Sequence, residues 1–132
     1  MKYPFERDHE SGMIYVSVRL DKQKSFKMVL DTGASNTTFD INALRLELYP
    51  IANKKIEKGL IETANGIVEV GVFEVESLAA FGHTVRNASV QVYDFLAHGI
   101  ISDYDGVLGI DFFEGTEFIV NMKNQTIEVK PA

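Results

Sequence analysis

The 132-residue sequence contains no cysteine, which excludes thiol catalysis, disulfide stapling and cysteine-ligated zinc, and leaves the redox compartment open. It has only three prolines, and no segment approaches membrane-spanning length. The first eight residues, Met1 to Asp8, are charged and carry no apolar run, so no signal peptide is expected. That places the chain in the cytoplasm if it is the whole protein and leaves its compartment undetermined if it is excised from a longer one. Basic residues are outnumbered: 13 Lys and Arg face 19 Asp and Glu, for a formal net charge of −6. A symmetric pair of chains would carry 2 × −6 = −12, which argues against binding a phosphate backbone.

What is present points to one β-rich domain. A hydrophobic content of 45% supplies a real core for a chain of this length. Eleven per cent aromatic residues and ten glycines fit an all-β fold with many tight turns, carrying one or two short helices, better than a helical bundle. Residues 1 to 12 mix charge, proline and glycine and are read as an N-terminal arm, with a single domain over residues 13 to 132.

Ile14, Val16, Val18 and Leu20 alternate with polar residues, the period of a half-buried strand, and Phe26 to Leu30 continues the sheet as its hairpin partner. Asp40 can cap a short helix in which Ile41, Leu44 and Leu48 recur at helical spacing, with Pro50 as its stop. Lys54 to Lys58 is a charge cluster suited to a solvated loop. Asn65-Gly66, between two strand-like runs, signals a tight hairpin. The alternation Val68, Val70, Val72 shifts phase around Phe73-Glu74-Val75, which predicts a bulge or a crossing between sheets. Ala79 to Gly82 turns the chain, and Val85, Val90 and Val92 form the return strand. Residues 94 to 105 read as a surface loop. Asp111 to Glu114 suits a one-turn helix ended by Gly115, before a closing hairpin of Glu117–Val120 with Thr126–Lys130.

Two further stretches carry the chemistry. Phe26 to Leu30 runs straight into Asp31-Thr32-Gly33-Ala34-Ser35, placing a carboxylate at the tip of a tight turn after a core strand. Val107-Leu108-Gly109-Ile110-Asp111-Phe112-Phe113 later brings a second apolar strand into a glycine turn. In this order the two stretches resemble the D-T-G-[AS]-[ST] loop and the later glycine motif of aspartic proteases. The length is similar to that of the single-lobe, retropepsin-like branch with its cellular and bacterial members. The resemblance covers roughly Met13 to Lys130 and implies a retropepsin-like barrel in which the second glycine strand passes beneath the first loop.

The resemblance also implies roles. Asp31 would be the general acid/base, Thr32 would hold two loops in register across a dimer, and Gly33 would let substrate backbone approach. Ala34 stands where pepsin-like enzymes have a hydroxyl, and Ser35 where retroviral ones often have an acid. Leu108, Gly109 and Asp111 form the second motif, with Ile110 where retroviral proteases commonly place arginine. Thr63, Ala64, Asn65 and Gly66 would form the flap. In dimeric relatives the terminal segments often pair across the interface. No cofactor or metal is implied; the expected partners are a polypeptide substrate and a second copy of the chain.

Water-driven peptide hydrolysis needs a base to activate water and an acid for the leaving nitrogen, and two carboxylates sharing a proton supply both. One chain offers one D-T-G. Asp111 sits at a helix start, where a carboxylate more often caps amides, so the simplest second acid is the Asp31 of a partner related by a two-fold axis. Asp8-His9-Glu10 has too few ligands for a metal, and Asp103-Tyr104-Asp105-Gly106 lacks the remaining calcium-loop positions. His83 and His98 have no serine or cysteine motif to serve. The rival readings are an inactive retropepsin-fold dimer acting as a binding or scaffold module, and a single-acid hydrolase or lipid-handling β-barrel, for which no second catalytic group is present.

Overall fold

The computed structural model describes residues 1–46, 55–63 and 66–131. The strands in chain order are β1 (Lys2–Pro4), β2 (Glu6–Arg7), β3 (Ile14–Leu20), β4 (Lys24–Leu30) and β5 (Thr38–Asp40), followed by the helix α1 (Ile41–Leu46). Then come β6 (Lys55–Thr63), β7 (Gly66–Ala80), β8 (His83–Tyr93), β9 (Gly106–Leu108), β10 (Thr116–Asn121) and β11 (Thr126–Pro131). Single 3-10 turns occupy Leu96–His98 and Ile110–Phe113.

The alternation read in the sequence forms the hairpin of β3 and β4, which turns through Asp21 and Lys22, both in the left-handed region at φ 51° and 61°. Val16, Val18 and Leu20 are buried while Ser17 and Arg19 face out. Burying such a side chain fully is worth about 1.5–3 kcal/mol, so a one-residue slip that reversed the faces would be strongly disfavoured.

The strand order β3-β4-β9-β5-β8-β7 closes on itself where β3 meets β7, making a six-stranded barrel with β2 and β6 attached outside. Closure runs through Arg19↔Ala79 and Leu20↔Leu78 and continues one step past the strand. There the Asp21 amide donates to the Ser77 carbonyl at 2.9 Å and the Ser77 amide donates to Asp21 Oδ1 at 3.1 Å. Asp21 and Ser77 are buried, so each polar group in this corner needs the other. Val18, Leu20, Met28, Phe39, Leu108 and Phe112 fill the barrel.

Several expectations change. The N-terminal arm is two strands paired within the chain: β1 lies antiparallel to β11, and β2 to β3. Tyr3 packs edge-on against Phe81, tying the arm to the turn between β7 and β8. Lys55 to Lys58, expected in a loop, belong to β6, because pairing with β7 satisfies their backbone; Lys54 lies outside the described residues. The irregularity expected around Phe73 is present on one edge of β7: the ladder with β6 shifts register between Lys55↔Phe73 and Glu57↔Val72, while the ladder with β8 is constant from Gly71↔Val92 to Ala80↔His83. The long β7 does cross between neighbours, pairing β6 along its first half and β3 at its end.

Helix α1 starts where Asp40 Oδ1 accepts the Asn42 amide at 3.2 Å, as capping predicts; Leu48 and Pro50 lie outside the described residues. The turn at Phe81-Gly82 and the closing hairpin of β10 and β11 form where expected. That hairpin packs on the barrel through Phe118, stacked on Phe113 with ring centroids 4.0 Å apart.

Candidate active site

β4 and β9 run parallel as neighbours in the barrel, pairing Met28↔Gly106, Val29↔Val107 and Leu30↔Leu108. The ladder extends one step, the Asp31 amide donating to the Leu108 carbonyl at 3.1 Å, so Asp31 leaves the sheet at a fixed point. The chain then folds back: the Ala34 amide donates to the Asp31 carbonyl at 3.1 Å and the Gly33 amide to Asp31 Oδ1 at 2.9 Å. Asp31, Thr32, Gly33 and Ser35 are exposed, and Ala34 is half-buried.

The second glycine motif fixes this loop from below. The Ile110 amide donates to the Ala34 carbonyl at 2.9 Å, and the Gly109 amide to Thr37 Oγ1 at 3.1 Å. A side chain at Gly109 would place its Cβ 2.7 Å from the Asn36 carbonyl carbon and 2.8 Å from the Ala34 oxygen. Its backbone is extended, at φ −89°, so glycine is required for space and not for conformation. Gly106 is similarly confined, since such a Cβ would collide with the Thr38 carbonyl oxygen.

Asp111 completes the support. Its Oδ2 accepts the Thr37 amide at 3.0 Å and its Oδ1 the Thr37 hydroxyl at 2.7 Å. This carboxylate holds the far side of the Asp31 loop; it does not cap the 3-10 turn on which it sits, the role its place at a helix start suggests, because Thr37 offers it two donors. Thr37, buried and central to the contacts, was visible in the sequence only as a strand-forming residue; its signal would have been the need of a half-buried Asp111 for a donor.

Residues 16–112 match the family described as aspartyl protease. The chain belongs to the aspartyl protease family. Its fold is that of the crystal structure of a retropepsin-like aspartic protease from Rickettsia conorii, with a TM-score of 0.69 and 19% identity over 98% of this chain and 91% of that one. Among curated proteins no sequence match is found. The retropepsin-like, single-domain, all-β reading therefore stands.

In this chain the hairpin of β6 and β7 pairs Thr63 with Gly66; Ala64 and Asn65 lie outside the described residues. Beside the strands leading to Asp31 is a groove of about 450 Å³ lined by Asp8, Met13, Tyr15, Ile101, Asp103 and Tyr104 among others. Tyr15, which pairs with Val29, donates its hydroxyl to Asp103 Oδ1 at 3.1 Å and lies 3.5 Å from Asp8 Oδ2. Loss of solvation, then the bond to Asp103 and the two negative charges, push the Tyr15 phenol up to about 12, so it remains a donor. The Lys27 ammonium sits 4.2 Å over its ring and 3.7 Å from Asp103. A larger cavity, about 490 Å³, lies between Pro4–Glu6 and the β3–β4 hairpin and includes no residue of the Asp31 loop, so its size does not make it the chemical site.

The acidic stretch before β9 has a structural use. Asp105 Oδ2 accepts the Lys27 amide at 2.8 Å, its amide donates to the Lys27 carbonyl at 2.7 Å, and its carbonyl accepts from the Asp40 amide at 2.8 Å. His83 Nε2 lies 3.2 Å from the Phe112 carbonyl, and His98 Nδ1 lies 2.8 Å from the Asp94 carbonyl. Among the described residues no cluster of three or more His, Asp or Glu is placed to hold a metal, and no helix is long and apolar enough to cross a membrane.

Proposed function

We propose that this aspartyl protease is a homodimeric endopeptidase whose catalytic pair is the Asp31 of each chain. The observation that carries the reading is the contrast between two acids of one loop system. Asp31 is exposed at the end of β4, whereas Asp111 has both oxygens bonded to Thr37. A single chain thus presents one free carboxylate edge where the reaction needs two groups, and a two-fold axis through the Asp31 loops supplies the second.

The chemistry follows from one proton shared by the pair. The ionised Asp31 takes a proton from water as the water oxygen adds to the peptide carbonyl carbon, while the protonated Asp31 of the partner gives its proton to the carbonyl oxygen. The resulting tetrahedral diol breaks its C–N bond as the newly protonated Asp31 gives its proton to the nitrogen and the partner's carboxylate takes one back from a diol hydroxyl, leaving an acid, an amine and the pair in its starting charge. The hairpin around Thr63 and Gly66 would close over the substrate backbone and exclude water. Support comes from the aspartyl protease match over residues 16–112 and the retropepsin-like fold.

The test is cleavage of an unbiased peptide mixture by the wild-type chain and by Asp31→Asn. The wild type should generate new termini and the variant should lose at least about 10²–10⁴ of the rate while keeping its fold. A folded variant that cleaves at the wild-type rate would remove Asp31 from the mechanism. A stable wild-type dimer with no cleavage of any peptide would favour the binding or scaffold module instead.

A further inference from the structure

We infer that Ile110 is the apolar anchor of the two-fold contact, packing against the second copy of this chain where the two Asp31 loops meet. The inference rests on the shared-dyad reading and adds to it the residue that holds the pair together. Ile110 is 46% exposed, although its neighbours Phe112 and Phe113 on the same 3-10 turn are buried. Of the exposed large apolar side chains among the described residues, only Ile110 has its own backbone bonded to the Asp31 loop, through the 2.9 Å bond to the Ala34 carbonyl. Ala34 in turn donates to the Asp31 carbonyl at 3.1 Å, so two hydrogen bonds separate Ile110 from the catalytic residue. An axis that brings two Asp31 carboxylates together must bring whatever is fastened to that loop close to itself.

Two other observations direct the weight of the contact to this place. The terminal strands already pair inside the chain, β1 with β11 and β11 with β10, so β11 has both edges filled and is not free to exchange between copies. Each copy also carries −6, so long-range electrostatics oppose association, and the attraction must come from short-range apolar contact. An isoleucine on a backbone fixed at both the Ala34 and Thr37 sides is suited to that: it is already positioned, and its burial removes apolar surface from water without demanding a charged partner.

Sedimentation equilibrium of the full chain, over a range of protein and salt concentrations, tests this independently of activity. The wild type should dimerise, and added salt should tighten the dimer by screening like charges. Ile110→Ser should raise the dimer dissociation constant by about tenfold or more, since the dimer loses the side chain twice and each 1.4 kcal/mol is a factor of ten. Ile110→Leu should restore it to near the wild-type value. The side chain is half in solvent, so both variants should keep the wild-type circular dichroism and, at dilutions where the wild type is monomeric, its melting curve. A folded Ile110→Ser chain that dimerises with the wild-type constant overturns this assignment alone. A wild-type chain that stays monomeric while cleaving peptides overturns the shared dyad as well.

Discussion

Thr37 and Asp111, 74 positions apart, are joined by two hydrogen bonds of 3.0 and 2.7 Å, and the same Thr37 hydroxyl accepts the Gly109 amide at 3.1 Å. One threonine thereby ties the strand leaving the Asp31 loop to both the glycine and the acid of the second motif. The loop is held chiefly by its surroundings, to which its own Asp31 side chain adds the bond from the Gly33 amide.

Asp111→Ala should therefore act on stability. It removes an ionised acceptor from a buried amide and hydroxyl, which costs about 1.5–3 kcal/mol. Urea unfolding should show that loss, while Asp31→Asn, at an exposed position, should change stability by no more than about 0.5 kcal/mol. Equal losses from the two would mean that the acids do not divide their roles as described.

Gly109→Ala should impair the site through shape. The new Cβ would lie 2.7 Å from Asn36 and 2.8 Å from Ala34, both backbone atoms, so the Asp31 loop must shift. Such overpacking costs about 1–3 kcal/mol, and activity should fall more steeply than stability because reacting groups must be placed within a fraction of an ångström. Gly115→Ala is the contrast: its Cβ meets nothing within 4 Å, but φ is 75°, so stability should fall while turnover by the folded fraction is kept.

These contacts mark how far the sequence could be read. The alternation in β3, the D-T-G turn and the Gly109 motif were legible because each follows from local pattern, and together they gave the barrel. The intrachain pairing of β1 with β11 was not legible, because three residues including Pro4 carry no period and their partner lies more than a hundred positions away. The strand character of Lys55–Lys58 was masked by charge, since β6 is an outer strand and its pairing is a backbone matter. At the site, the turn singled out Asp31, whereas the helix start of Asp111 suggested capping and not the bonds to Thr37 that it makes. Thr37 could not be singled out, because a threonine just before a strand is unremarkable until the chain brings an acid to it.

Acid sensitivity should trace partly to the 94–105 loop. The Ala97 amide and then the Asn42 side chain, donating to Asp94 Oδ1 at 3.0 and 2.8 Å, hold this carboxyl below its ordinary value. A depressed folded value contributes stability that is present above the ordinary aspartate value of 3.8 and is lost as pH falls through the folded one. Asp8, lowered chiefly by the Glu10 amide and then by Ser11, contributes in the same direction. The denaturation midpoint should drop as pH is lowered below about 4, and Asp94→Ala should reduce that drop. An unchanged pH dependence in the variant would assign the acid response to other groups.

The shared dyad is tested most directly by mixing wild-type chains with Asp31→Asn chains under conditions where subunits exchange, and measuring peptide cleavage at constant total protein. If each active site needs an intact Asp31 from both copies, activity follows the square of the wild-type fraction, so an equal mixture retains about one quarter of the undiluted rate. A rate that falls in simple proportion, to about one half in the equal mixture, would show that each chain works with its own Asp31 alone and would contradict the account.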